Sequence, residues 1–202
     1  LKNRLDSCSA TVRKNGWSLI KQRESLWKIT TLIDSDLDTI CDCILEEIAG
    51  LTQSPYGFYG FIDEKESVMH IHSWSSQAMK DCRIHSKPIR YPISKSGIWA
   101  DAVRKRKIAV FNDYNAEFLG KRGTPEGHVK LTRVLSVPVF SGGQIVALGA
   151  VANKTTPYTS DDIEQLNAFL HNTQILIERK HSELKLKDSL KEKETLLKEL
   201  YH

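Results

Sequence analysis

The run from Val134 to Asn153, VLSVPVFSGGQIVALGAVAN, constrains the fold more than any other part of the chain. Two apolar stretches flank the turn tetrapeptide SGGQ, which predicts a β-hairpin. The second stretch is apolar on both faces. Such a strand belongs at the centre of a sheet that is covered on both sides. Upstream, YGFYGFID and SVMHIHSW read as two more strands joined by the polar turn EKE. RIHSKPIRYPI looks extended, but its two prolines assign it to an edge or a loop. Ser96 is placed to cap a short helix over GIWADAVRKRK, and IAVFND is a further strand. A loop rich in glycine and polar residues, YNAEFLGKRGTPEGH, leads from it to the hairpin.

Helices with a seven-residue rhythm flank this strand-rich centre. Leu5, Val12, Leu19, Leu26 and Ile33 form one seam, and Leu1, Cys8, Asn15, Gln22 and Ile29 the other. Asn15 and Gln22 put polar groups on the seam, and Gly16 is a weak point in the helix. Two readings stay open here: a coiled coil between chains, or an amphipathic helix lying on its own domain. Asp36 can cap the next helix, LDTICDCILEEIAGL, whose apolar face is Leu37, Ile40, Cys41, Ile44, Ile48 and Leu51, with Cys43 off it. The last helix opens on YTSDDIEQL, where Thr159 and Asp162 make a capping box with aspartate in place of Glu or Gln. Leu186, Leu190, Leu197 and Leu200 then share a seam with Lys193, out of phase with Leu166, Leu170, Thr173 and Ile177. The seam therefore shifts near residues 178–185, which alters local supercoil twist. The expected organisation is a heptad linker helix over 1–24, a domain over 25–180 and a C-terminal signalling helix over 181–202. That plan reads as a relay module, dimeric through parallel terminal helices, rather than a self-contained enzyme.

Composition narrows the partners. The formal net charge is +4 and basic residues are interleaved with acidic ones, so no stripe for nucleic acid exists. RKRK, Arg104 to Lys107, reads as a solvated helix end. No apolar run approaches the roughly 18–20 residues needed to span a bilayer. Cys8, Cys41, Cys43 and Cys82 form no CxxC pair and read as free thiols of a reducing, cytoplasmic compartment. GxSxG, P-loop and HExxH motifs are all missing, which predicts no enzyme activity in this stretch. The final helix, EKETLLKELYH, carries no stop signal, so the polypeptide is expected to continue.

VFNDYN, GTPEGHVKLTRVLSVPVF and GGQIVALGAVANK with the later SDDIEQL together resemble a GAF domain, the kind found in histidine kinases and diguanylate cyclases, over about residues 25–180. The resemblance implies an α+β fold: a central antiparallel sheet with helices packed on one face, flanked by long coiled-coil helices. EKETLLKELYH resembles the start of the dimerisation helix of second-class histidine kinases, which places His202 at the phosphoacceptor position. A sensor that couples a small-molecule or redox input to histidine autophosphorylation is then expected. Its partners would be a second copy, a downstream kinase domain that supplies ATP, and a response regulator, with no nucleic acid and no membrane. Regulation of another output such as a diguanylate cyclase, or a ligand-free interaction module, are the alternatives.

By the same resemblance a small ligand, of unknown identity, would sit among Trp74, Ile98, Trp99, Asn112, Asp113, Tyr114, His128, Arg133 and Val139. Arg133 could clamp a carboxylate or phosphate. Equally, Asp113 could pair with Arg133 or cap a loop, His128 could hold its own loop, and the tryptophans could be core. For cyclic nucleotides, Asn153 and Lys154 match the family signature, but Tyr158 replaces phenylalanine and Asp162-Ile163 replaces an Asp-Glu pair. That motif mostly locks structure in the family and does not single out a ligand. His70 and His72 share a strand face as possible metal or haem ligands, with Cys82 and His85 nearby, yet two histidines do not complete a site. No metal site is therefore assigned. DCRIH does not match the Cys-His pair of bilin attachment.

Overall fold

A computed structural model describes residues 20–21, 23–82, 90–117, 121–124 and 127–200. The seam positions Leu1 to Leu19 and Gln22, as well as His85 and His202, lie outside the described residues.

Six antiparallel strands form one sheet in the order β3-β2-β1-β6-β5-β4. They are β1 Tyr56–Ile62, β2 Val68–Trp74, β3 Arg90–Pro92, β4 Ala109–Phe111, β5 Val134–Ser141 and β6 Gln144–Ala152. The hairpin β5–β6 forms as expected, and β6 lies inside the sheet between β1 and β5. Its turn pairs Ser141 with Gln144 across Gly142 and Gly143, which both hold positive φ, 56° and 83°. That backbone matches the twist of the strands and is accessible to glycine without strain. The proline-bearing segment supplies β3, an edge strand that contributes only three residues.

Helices α1 (Leu37–Thr52) and α4 (Ser160–Leu200) cover one face of the sheet. Asp36 caps α1 as its position predicts: its Oδ1 accepts the Thr39 amide at 2.7 Å. Ile40, Cys41, Ile44, Leu45 and Ile48 then pack against Leu135, Val137 and Val151 of the sheet and Leu166, Phe169 and Leu170 of α4. Burial pushes the Cys41 thiol and the Tyr59 phenol well above their ordinary values, so both are packing groups rather than reactive ones. Helical residues 23–30 lie on the same core: Ile29 is fully buried with Leu26 and Leu32 beside it, while Trp27 is 72% exposed. In this stretch the seam residues face their own domain, which decides against an intermolecular coiled coil for Leu26 and Ile29.

The segment after Ser96 differs from expectation. In place of one capped helix there are two 3-10 turns, Ile93–Lys95 and Ile98–Ala100, and a single α-turn, α3, Asp101–Arg104. Ser96 does not N-cap α3; it closes the first 3-10 turn, its amide donating to the Ile93 carbonyl and its hydroxyl to the Pro92 carbonyl at 2.8 Å. A short helix α2, Ser76–Asp81, follows β2 and is capped by Ser75. α4 runs without interruption across residues 180 and 181. None of the described helices is long and apolar enough to cross a membrane.

Candidate functional site

The face of the sheet opposite α1 and α4 carries the aromatic residues singled out from the sequence. Strand alternation explains the split. Tyr59 and Phe61 of β1 point to the helices, whereas Phe58 and Ile62 point to the other side. On that second face Phe58 meets Trp74 with ring centroids 5.7 Å apart, and Trp99 edge-on at 5.4 Å. Tyr91 of β3 adds a perpendicular contact to Trp99 at 6.1 Å. Such tilted and edge-to-face pairs are worth about 0.5–1.5 kcal/mol beyond the area they bury. Ile98, Val134 and Ala152 form an adjoining apolar group, with Trp99, Phe111 and Tyr114 packed on it. Trp99 thus bridges both halves of the face.

Arg104 fixes the segment that delivers Trp99. Its guanidinium donates to the carbonyls of Ile93 (2.8 Å), Ser96 (3.0 Å) and Gly97 (2.8 Å) and to the Asp101 carboxylate. Lys105 adds a bond to the other Asp101 oxygen at 2.8 Å. Burial works to raise Asp101, but these hydrogen bonds and charges outweigh it and hold the carboxyl below the usual range. Arg106 meanwhile pairs with Glu66. The basic run closes α3 and all four of its residues are exposed, as expected of a solvated helix end, while Arg104, Lys105 and Arg106 also staple neighbouring groups. Replacing Arg104 with alanine removes three carbonyl partners and leaves Asp101 half compensated. We expect a loss of about 2–3 kcal/mol in urea unfolding and a changed tryptophan emission. An unchanged midpoint and spectrum would refute the role.

The other expected site residues are placed as follows. Trp74, Ile98, Trp99 and Tyr114 meet on the aromatic face. Asn112 sits at the end of β4, where it grips the backbone of Tyr158, donating to its carbonyl at 3.1 Å and accepting its amide at 2.7 Å. Asp113 accepts the Asn115 amide at 3.0 Å and so caps its own loop. His128 Nδ1 lies 2.7 Å from the Val129 carbonyl, on its own loop. Arg133 donates to the Lys154 carbonyl at 3.1 Å, and its Nε is buried without a partner. Val139 does not join this group. It is fully buried on the helix face with Leu135 and Val137, because alternate residues of β5 face opposite sides.

The Asn-Lys signature acts as a lock. Asn153, at φ 64°, accepts the Thr132 amide at 2.8 Å and donates to the Lys130 carbonyl at 2.7 Å. Lys154 Nζ reaches both Asp162 oxygens, at 2.6 and 2.7 Å, and the same carboxylate accepts the Thr159 amide at 2.8 Å. Tyr158 closes the other end, its hydroxyl 2.9 Å from that of Ser54 after α1, and burial pushes its phenol up to about 12. His72 lies 2.7 Å from Asp38 of α1, and among the described residues no three His, Cys, Asp or Glu side chains gather as a metal site.

Sequence reasoning missed Arg104, Phe58 and His181. The spacing of Asp101 and Arg104 on one helical turn was the available sign for the first.

Comparison with known proteins agrees with this architecture. A profile of the GAF domain matches residues 34–178. A methyl sulfide methyltransferase-associated sensor of Methanosarcina acetivorans is 41% identical over 160 residues, covering 79% of this chain. The chain spans only 16% of that relative's length. In structure, the GAF domain of a phosphoenolpyruvate-protein phosphotransferase from Coxiella burnetii is similar, with a TM-score of 0.64 at 10% identity over 82% of this chain and 96% of its own. A methyl-accepting chemotaxis protein is similar with a TM-score of 0.61 at 14% identity, over 77% and 95%. At these identities the two structures bear on fold alone.

Proposed function

The chain belongs to the GAF family, and from that premise we propose that it is the cytoplasmic sensory module of a histidine kinase, relaying a small-molecule or redox input along α4. One observation carries the reading. α4 is a continuous helix of 41 residues, about 60 Å long, that starts in the core and ends wholly exposed. Its first part buries Leu166, Phe169, Leu170 and Ile177. Its last part exposes Leu186 (63%), Leu190 (53%) and Leu197 (53%) on one seam. A second copy of the chain is the occupant whose matching seam would cover those leucines. The similarity to a sensor supports the role. His202 is then the phosphoacceptor, ATP comes from a kinase domain beyond it, and a response regulator takes the phosphate.

The tilted and edge-to-face packing of Phe58, Trp74, Tyr91 and Trp99 favours a second reading, a GAF module that holds no ligand and serves interaction alone. Native mass spectrometry separates the two: an adduct lost on denaturation supports the first, and a bare polypeptide mass the second.

Sedimentation equilibrium tests the relay. The expected mass is twice the 22.9 kDa of the chain. Leu190→Gln together with Leu197→Gln is expected to weaken the dimer at least about tenfold, since each leucine loses part of the roughly 1.5–3 kcal/mol of full burial. A monomer at all concentrations, or a dimer indifferent to both changes, sinks the reading.

A further inference from the structure

We propose that the point where α4 leaves the domain is a proton-operated latch, built from His72 and His181 on either side of the Phe61 ring. Phe61 points from β1 toward the helices. Its ring centroid is 5.4 Å from that of His72 on β2 and 5.0 Å from that of His181 on α4. The three side chains therefore tie two strands to the helix at one spot. That spot is also where contact ends. Ile177 is fully buried and Lys180 is 9% exposed, His181 is half-buried, and every residue from 182 to 199 is exposed. A small cleft of about 10 Å³, lined by Ile29, Ile40, Leu176 and Lys180 among others, lies on the neighbouring stretch of α4.

The charges around the two imidazoles are unequal. His72 has an acid within reach: its Nε2 is 2.7 Å from Asp38 Oδ1 at the start of α1, although that buried nitrogen makes no aligned hydrogen bond. A protonated His72 completes an ion pair with Asp38. For His181 the surroundings are adverse. Burial disfavours its charged form, and the positive charges of Lys185 on α4 and of His72 across the ring add to the effect. Lys180, one residue earlier, is engaged by Glu183 at 3.4 Å. On the sheet side His70 acts on Asp63 and not on this group. Among the described residues, the charges acting on His181 are the cationic ones, and no carboxylate offsets them.

The direction of the pH response follows. His181 is held below the ordinary histidine value of 6.5 while the helix is docked. The docked form then binds fewer protons than the released one at mildly acidic pH. Docking is at full strength above about 6.5 and weakens as pH falls through the depressed docked value. Release at His181 frees residues 178–185, where the leucine seam changes phase, and so alters how the exposed rod begins. The consequence for output rests on the reading of α4 as a relay; the latch itself does not.

Hydrogen–deuterium exchange on the 202-residue chain tests it. Between about pH 7.5 and about pH 5.5, after correction for intrinsic chemistry, amides of residues 176–183 should exchange at least about threefold faster. Amides of residues 166–173 should not change, and His181→Gln should abolish the acceleration. In the unaltered chain the His181 ring should titrate below 6.5 by NMR, with amides of 177–183 shifting in step. No acceleration, equal acceleration in His181→Gln, or a ring titrating at or above 6.5 overturns the latch. The ring titration stands even where the variant folds poorly. A monomer that still accelerates would retire the relay and keep the latch.

Discussion

Asp162→Ala should cost this protein about 3–5 kcal/mol of folding stability, a large part of the roughly 5–15 kcal/mol that a domain possesses. The carboxylate accepts two bonds from Lys154 Nζ, one from the Thr159 amide and one from its hydroxyl at 3.0 Å. Both side chains of the pair are nearly inaccessible, 12% for Lys154 and 8% for Asp162. Truncating the acid leaves an ammonium group with neither water nor counter-charge, and it unlocks the first turn of α4. The loss is that of an orphaned charge and is not a measure of the pair's net worth. Lys154→Met in the Asp162→Ala background should therefore recover at least about half of the deficit. Urea unfolding of the two single variants and the double variant reads this directly. A single variant within about 1 kcal/mol of the parent, or a double variant that is worse than the single, would show that the pair is not buried in solution.

The same pair shows what the sequence can disclose. Thr159 and Asp162 are three apart before an apolar run, and the capping box forms at that place. Asp36 and the SGGQ turn were legible for the same reason: each is a local device whose partners lie within a few residues. The covered strand β6 was legible because a stretch apolar on both faces has only one place to go. That same property hid Val139. When both faces of a strand are apolar, alternation no longer marks which residues look toward the helices, and a candidate ligand contact turned out to be helix-facing core. The described end of the N-terminal seam was ambiguous for a related reason, since Leu26 and Ile29 have the period of a coiled coil and of a helix lying on its own sheet, and they follow the second. Arg104 was legible only in its spacing from Asp101, for a different reason. Its partners are main-chain carbonyls of a turn, and no residue type advertises where a carbonyl points.

These cases separate two kinds of site in the molecule. The aromatic face is assembled from strands and a stapled turn, so its shape is set by the core and by Arg104. The helix side is assembled from α1, α4 and the 153–158 loop, with Asn112, just after β4, gripping the loop backbone and Tyr158 reaching Ser54. Trp99 and α4 are connected through the backbone leading to β4, the Asn112 contacts with the Tyr158 backbone, and the loop that Lys154 and Asp162 close. The Asn112 and Lys154–Asp162 links are hydrogen bonds, and each can be cut by one substitution.

The strand pair under the aromatic face supplies the second large effect: Gly60→Ala should lower stability by about 2–4 kcal/mol. Gly60 lies in β1 beside an irregularity in the β1–β2 pairing, between Tyr59 and itself. A methyl group there would stand 2.6 Å from the His70 carbonyl oxygen, 2.9 Å from the Ile71 Cα and 2.8 Å from the Met69 Cε. Met69 can swing aside, but the other two atoms are backbone of the neighbouring strand. Relief requires β2 to move away from β1, which weakens the ladder and carries the Phe58–Trp74 contact with it. Gly97→Ala is the matched control, because a methyl at that extended position meets nothing within 4 Å. It should stay within about 0.5 kcal/mol of the parent. Urea midpoints for both variants decide the matter: a Gly60→Ala protein as stable as the control would mean that β1 and β2 are not held as close as this register requires.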